Sequence, residues 1–342
     1  MNEHKIWKIL ELYSGIGGMH YAADLSGICS EVVFSVDVNN SANEVYRHNF
    51  PKTNQQSRNI VSLTSIEINK LQPDLLMMSP PCQPFTRVGL KMDVEDPRCS
   101  SFLHLLDIMP QLNSIQYILM ENVVGFETSA MRNAFVETLT KCNFNFREFI
   151  LTPESLNVPN SRNRYYLLAR KSDNFTFGSH TEILRCFPEG FQPQPSNRGK
   201  TLESYLENVM KEEELEHYVI PDRTLIKYCR ILDIRQKCDT SSCCFTKAYS
   251  HYAEGTGSVL QHNEAESLSQ RFAQFEESGE VSELKPLCLR YFSPREVANL
   301  MSFPDNFNFP NNISLKTRYR LLGNSLNVLV VSNLLRILLT NE

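Results

Sequence analysis

The chain begins with an apolar run over residues 6–13. It breaks into Ser14-Gly15-Ile16-Gly17-Gly18 and resumes with a helical pattern from Met19. Strand, glycine turn and helix form the first unit of a doubly wound α/β sheet. The alternation then repeats. A second apolar run, residues 32–36, ends in Asp37, and residues 40–50 carry a helical pattern. A helix over 65–71 leads into Asp74-Leu75-Leu76-Met77-Met78, a run expected to be a buried parallel strand. Further helices are predicted over 100–112 and 131–142, and further strands over 117–120, 144–151 and 165–169. The polar stretch 86–98 is long enough to act as a lid.

After Lys171 the alternation weakens. Residues 188–195, Pro-Glu-Gly-Phe-Gln-Pro-Gln-Pro, read as a linker. A basic amphipathic helix is predicted from Asp222, with Leu225, Cys229 and Leu232 inward and Lys227, Arg230 and Arg235 outward. Ser293-Pro294-Arg295-Glu296 has the form of a capping box with proline at the first helical position. Gly323-Asn324-Ser325 is expected to cap a long apolar helix over 326–339. The chain therefore divides into an α/β domain over 1–187, a smaller domain over 188–289, and C-terminal helices over 290–342 that pack back on the first domain.

Composition adds a few bounds. The 342 residues are 42% hydrophobic and 21% charged, as in a globular protein, and no run reaches the roughly 18 apolar residues of a membrane span. Ten cysteines without a secretory signal lead us to expect a reducing compartment, the cytoplasm with nuclear entry open. There is no CxxC pair, so no metal is expected. The net charge of −5 does not advertise a nucleic-acid binder, but its distribution matters more. From Arg223 to Lys247 there are six basic and two acidic residues, between acidic flanks. That island suits a phosphate contact surface or, equally, solvated helix faces.

The chemistry gathers where strands end. The glycine turn, Asp37, Asn59, Cys82 and Glu121 each follow a predicted strand or its expected end, and open parallel sheets bind ligands at those ends. Cys82 sits in Pro80-Pro81-Cys82-Gln83-Pro84, where prolines fix φ and stiffen the loop. A thiolate adding to C6 of a cytosine would make C5 able to attack an electrophilic methyl. Such a reaction needs a fixed thiol (Cys82), an acid at the N3/N4 edge (Glu121), and a cation near O2 (Arg162 and Arg164, two residues apart on an extended segment). The target base must be flipped or lie in a loop. Taken singly, these residues keep plainer readings: an inert buried thiol, a helix N-cap at Asp37 or Glu121, and surface charge at the arginines. A nicotinamide oxidoreductase fits less well, because the turn lacks the G-x-G-x-x-G spacing.

Taken together, the motifs resemble a known family. Tyr13 to Gly18, Pro80-Pro81-Cys82-Gln83-Pro84-Phe85, Glu121-Asn122-Val123, Arg162-Asn163-Arg164-Tyr165, Tyr291 to Glu296 and Gly323-Asn324-Ser325 occur in the order of the cytosine-5 methyltransferase motifs. The resemblance spans essentially the whole chain. It implies a Rossmann-like S-adenosylmethionine-dependent methyltransferase sheet with a smaller target-recognition domain, and S-adenosylhomocysteine as product. By that resemblance Cys82 is the nucleophile, Glu121 contacts the cytosine edge, and Arg162 and Arg164 assist base binding. Tyr13, Ser14, Gly15, Ile16, Gly17, Gly18, Asp37, Val38, Asn59, Ile60, Asn324 and Ser325 would line the donor site. Asn59 stands where the family more often has an acid, which bears on donor affinity.

Cys244-Phe245-Thr246-Lys247-Ala248-Tyr249 resembles the tRNA-aspartate branch of the family, historically called a DNA methyltransferase. This implies methylation of cytosine 38 in the anticodon loop of tRNA-Asp, where unstacking a base costs less than opening a duplex. Arg87, Lys227, Arg230, Cys244, Thr246 and Lys247 are the expected RNA contacts. A monomer acting on tRNA is expected, with no membrane and no metal. DNA methylation by the same chemistry, or a binding module with residual catalysis, are the alternatives.

Overall fold

Successive side chains of a strand face opposite sides of its sheet, and here both sides are apolar. The computed structural model describes residues 5–81, 100–171, 174–207 and 212–339. Its strands are β1 (Trp7–Leu12), β2 (Ser30–Asp37), β3 (Gln55–Ser57), β4 (Leu75–Met78), β5 (Tyr117–Val123), β6 (Asn145–Leu151), β7 (Arg164–Arg170), β8 (Ile183–Leu184), β9 (Ile234–Arg235), β10 (Val259–Gln261) and β11 (Leu289–Tyr291). The helices are α1 (Gly18–Leu25), α2 (Asn40–Asn49), α3 (Ser65–Leu71), α4 (Ser100–Ile108), α5 (Ala130–Lys141), α6 (Glu212–Glu216), α7 (Asp222–Tyr228), α8 (Leu268–Ser278), α9 (Pro294–Leu300), α10 (Leu315–Gly323) and α11 (Val328–Leu339).

Eight strands form one sheet in the order β3-β2-β1-β4-β5-β7-β6-β8. β3, β2, β1, β4 and β5 run parallel, and β7 runs antiparallel to β5 and β6. Ile9, Leu75, Met77, Leu119 and Leu168 pack with α1 and α11 on one face. Leu10, Leu76, Met78, Ile118 and Leu167 pack with α4 and α5 on the other. This is the doubly wound α/β architecture that the alternating pattern implied. β1 is flanked by β2 on one side and β4 on the other, so the sheet's switch point, where a ligand crevice forms, lies at its carboxyl end.

The C-terminal helices do pack back on the sheet. By length and composition, Leu315–Leu339 could cross a membrane, but 78% of its most apolar window is buried inside this fold. The expected cap is displaced. Gly323 closes α10, and Asn327 caps α11, its side-chain oxygen accepting the Val330 N–H at 3.1 Å. The buried Asn327 satisfies an orphan N–H at the start of α11.

The smaller domain departs further from expectation. Its basic helix ends at Tyr228, and Arg235 lies on β9, drawn into the second sheet by pairing of Ile234 and Arg235 with Val259 and Leu260. Ile220, Leu225, Cys229, Val259, Leu284, Leu287 and Leu289 form a modest core of its own. Phe245, Tyr249 and Leu260 belong instead to the core beneath the main sheet. The expected boundary at 289/290 falls inside β11, and the 188–195 linker is pinned to α11 by a two-way Gln194–Asn333 hydrogen bond.

Candidate active site at the carboxyl edge of the sheet

The ends of β1, β2, β4 and β5 open onto one cavity of about 340 Å³. Tyr13, Gly15, Ile16, Asp37 and Val38 line one side, Ser79, Pro80, Pro81 and Glu121 the floor, and Arg162, Arg164, Lys247, Gly323, Asn324 and Ser325 the other side. A larger cavity of about 680 Å³ lies between α1, the 194–198 segment and the 302–306 turn. It shares no lining residue with the first and receives none of these strand ends.

The glycine turn is built from left-handed backbone at Tyr13 (φ 57°), Gly15 (φ 52°) and Gly17 (φ 85°). Gly17 is also required sterically, since a Cβ there would lie 2.7 Å from the Phe50 ring. Asp37 holds the turn: one carboxylate oxygen accepts the Gly15 N–H at 2.8 Å and the other accepts the Asn39 N–H at 2.7 Å. The helix cap is therefore Asn39, which accepts from Ser41 and Ala42, and not Asp37. Burial raises the Asp37 pKa, against the pull of its backbone hydrogen bonds. Val38 presents an apolar side chain, 71% exposed, on the cavity wall. The buried Ser14 hydroxyl has no hydrogen-bond partner among the described residues.

A second acid lies behind the turn. Glu11 on β1 is fully buried, and the Tyr46 hydroxyl donates to it at 2.7 Å. His20 Nδ1 is 2.8 Å from the same hydroxyl, and its ring stacks on Phe50 at 3.7 Å between centroids. Burial raises the Glu11 pKa from 4.5 to about 8 and lowers that of His20 to about 4. Near neutral pH, then, the acid keeps its proton and the imidazole is uncharged. The amphipathic pattern hid this group, because a single acid in an apolar strand reads as a break in periodicity.

On the opposite side, Glu121 lies 3.4 Å from Arg164 Nε. Burial raises the Glu121 pKa, opposed by Arg164, Arg162 and a hydrogen bond from Ser79. Arg162 and Arg164, expected as a matched pair, take different parts. Arg162 is 2% exposed and donates to the Phe245 carbonyl at 3.0 Å, to the Gly323 carbonyl at 3.1 Å and to the Ser325 carbonyl. It also lies 3.3 Å from Cys244 Sγ, leaving Nε without a partner among the described residues. Arg162 is thus a staple between the recognition segment and the C-terminal motif. Arg164 is the cation paired with the acid. Burial alone would raise the Cys244 thiol pKa, but Arg162 and Arg164 outweigh it and lower the pKa.

The segment 242–247 is locked against the 159–162 turn and α10. Ser161 N–H donates to the Ser242 carbonyl at 2.8 Å, Asn160 to the Cys243 carbonyl at 3.0 Å, and the Ser242 hydroxyl to the Pro159 carbonyl at 2.7 Å. A Cβ on Gly323 would lie 2.2 Å from the backbone of Thr246 and Lys247, so only glycine permits this approach. Asn122, which the sequence reading did not single out, reaches back to the Pro80 carbonyl at 3.4 Å and ties β5 to the proline loop.

Other expected site residues lie elsewhere. Asn59 and Ile60 are off the cavity wall. Asn59 caps a short turn through the Val61 N–H, and Ile60 is buried in the core on the α4/α5 side. Gly17 and Gly18 shape the start of α1, with Gly18 against Ser325. Thr246 meets Gly323 through its backbone. Arg230 is paired with Glu276 at 3.2 Å, and Lys227 stands away from the cavity on α7. Cys82 and Arg87 lie outside the described residues, as does the expected lid. Among the described residues no group of three or more His, Cys, Asp or Glu side chains could hold a metal ion.

The sequence pattern of the C-5 cytosine-specific DNA methylases matches residues 7–339. A tRNA (cytosine(38)-C(5))-methyltransferase of Spodoptera frugiperda is 47% identical over 337 residues, covering 97% of this chain and 98% of that one. The human protein of the same name is 40% identical over 388 residues, covering 97% and 98%. The crystal structure of a Spodoptera frugiperda DNMT2 mutant superposes with a TM-score of 0.87 at 47% identity, over 98% of this chain and 100% of that one.

Proposed function

The chain belongs to the C-5 cytosine-specific methylase family, and on that premise we propose that it methylates C5 of cytosine 38 in the anticodon loop of a tRNA, tRNA-Asp first among them. The observation that carries the reading is the convergence on one cavity of the glycine turn, the end of the Pro80-Pro81 loop and the Glu121–Arg164 pair. The S-adenosylmethionine that the family implies fits this cavity. Gly15 puts no side chain on the cavity wall, the buried Ser14 hydroxyl beside it has no partner among the described residues, and Val38 offers an apolar face beside Asp37. Bound there, it would supply an electrophilic methyl group on a sulfonium.

The chain's own residues do the rest. Cys82 follows Pro81 directly in sequence, and Pro81 lines the cavity. Its thiolate would add to C6 of the cytosine, forming an S–C6 bond and placing electron density on C5. After methylation, loss of the C5 proton would break that bond and restore the thiolate. Glu121, with its pKa raised by burial, would hold a proton at the N3/N4 edge, and Arg164 would keep it oriented. Arg162 and Lys247 would complete the wall against which the base rests.

The test is bisulfite sequencing of tRNA incubated with S-adenosylmethionine and either the wild type or Cys82→Ala, with duplex DNA in parallel at the same salt. Methylation at cytosine 38 that vanishes in the variant, while donor binding persists, is expected. Turnover by Cys82→Ala would remove the thiol from the mechanism. Methylation of DNA alone would overturn the tRNA assignment.

A further inference from the structure

Residues 245–252 carry three aromatic side chains, and the structure treats them differently. Phe245 and Tyr249 are buried. Tyr249 donates to the Ser258 carbonyl at 2.6 Å, accepts the Phe292 N–H at 2.8 Å, and meets Phe245, Tyr291 and Tyr319 edge-on. Tyr252 is 61% exposed, and its hydroxyl makes no hydrogen bond among the described residues. Yet its backbone is fixed. Its N–H donates to the Ala248 carbonyl at 3.0 Å, and its carbonyl accepts the Thr256 hydroxyl at 2.5 Å. An aromatic ring held out to solvent by a rigid segment loses little entropy when something stacks on it.

The surroundings indicate what that would be. Five residues earlier, Lys247 is exposed and lines the catalytic cavity. Lys227 of α7 holds its ammonium 4.9 Å from the Tyr228 ring centroid. Tyr228 raises the Lys227 pKa, and Tyr252 adds a smaller effect of the same sign, which brings that ring within electrostatic reach of the same ammonium. Ile226, 58% exposed, adds apolar surface. Exposed lysines beside tyrosine rings, with Lys247 on the cavity wall, are the composition of a single-stranded nucleic-acid surface, where bases stack and phosphates pair with cations.

We propose that Tyr252, backed by Tyr228 and Lys227, is a stacking platform for an unpaired base of the RNA loop whose cytosine enters the cavity. The proposal rests on the tRNA reading above. It goes beyond that reading by assigning Tyr252 as a positioning residue for the substrate, with Lys247 bridging the platform to the site.

The test is steady-state methyl transfer to a tRNA-Asp transcript by the full-length wild type, Tyr252→Ala and Tyr252→Phe, with donor affinity and the thermal unfolding midpoint measured alongside. Tyr252→Ala is expected to raise the KM for tRNA about ten-fold, the loss of one stacked base. Its kcat should stay within about two-fold, with donor affinity and the unfolding midpoint unchanged. Tyr252→Phe should keep the wild-type KM, because the ring and not the hydroxyl carries the contact. If the wild type methylates tRNA and Tyr252→Ala has the wild-type KM, the platform is wrong and the substrate reading stands. A Tyr252→Phe variant as impaired as Tyr252→Ala would also overturn it. If the wild type does not methylate tRNA at all, the substrate reading fails, and the platform fails with it.

Discussion

The two walls of the cavity are made in different ways. The donor wall is made of backbone: strand ends from one sheet, three left-handed residues in the glycine turn, and an Asp37 carboxylate that holds the Gly15 N–H at 2.8 Å. The wall facing the base is made by interlocking. Arg162 gathers the carbonyls of Phe245, Gly323 and Ser325, residues 83, 161 and 163 positions away in sequence, and Gly323 lets the 246–247 backbone close over α10. A wall of the first kind tolerates change outside its turn. A wall of the second kind depends on single side chains that no neighbour in sequence can replace.

The largest expected effect tests that dependence directly. Arg162→Met should leave three buried carbonyls without their donor, cost about 3–5 kcal/mol of stability and abolish transfer. Arg162→Lys should not restore it, because one ammonium cannot span the positions a planar guanidinium reaches. Denaturant unfolding and single-turnover transfer would measure both. A methionine variant of native stability and activity would show that the segment is held by other contacts.

The donor side has its own buried charge, so the next test runs the comparison the other way. The Glu11 pKa is raised from 4.5 to about 8. A raised acid pKa means that its contribution to stability is fully present below about pH 4.5 and is lost as pH rises through about 8. Relative to Glu11→Gln, whose amide can still accept from Tyr46 and does not ionise, the wild type should lose about 4 kcal/mol across that window. Urea midpoints of both proteins at pH 5 and pH 8 would check it. Parallel pH profiles would mean that Glu11 ionises without cost, and that the donor wall rests on no protonated acid.

The smallest effect sharpens the contrast at one atom. Gly323→Ala would place a methyl carbon against the Thr246–Lys247 backbone and should cost about 2 kcal/mol while raising the KM for tRNA. Unfolding and steady-state kinetics would report it. Unchanged values would show that the segment has slack, and that the two walls differ less than the geometry implies.

Much of the first wall was legible in the chain. Continuous apolar runs leading into Tyr13, Asp37 and Glu121 are local patterns, and strand spacing alone sets such residues along one sheet edge. The capping box at Ser293 was equally local, and both of its reciprocal hydrogen bonds form. Local signals also misled. The helical period from Asp222 runs on through Arg235, but pairing with β10 turns that stretch into a strand. Asn59 followed a predicted strand end like the others, and its side-chain oxygen accepts the Val61 N–H at the start of a short 60–62 turn.

The sequence by itself determined the sheet, the glycine turn and the identity of the motifs, because each depends on residues within a few positions of one another. Only the tertiary structure decided how Arg162 and Arg164 divide their work. Two arginines two residues apart, one just before β7 and one at its first position, have the same local pattern, and their difference comes from carbonyls brought in by α10 and by the 242–247 segment. It also decided that Glu11 is buried with its pKa raised, and that of Phe245, Tyr249 and Tyr252 only Tyr252 faces solvent. Burial is a property of what packs against a side chain, and that is set by parts of the chain distant in sequence, 35 residues for Glu11 and Tyr46 and 163 for Arg162 and Ser325.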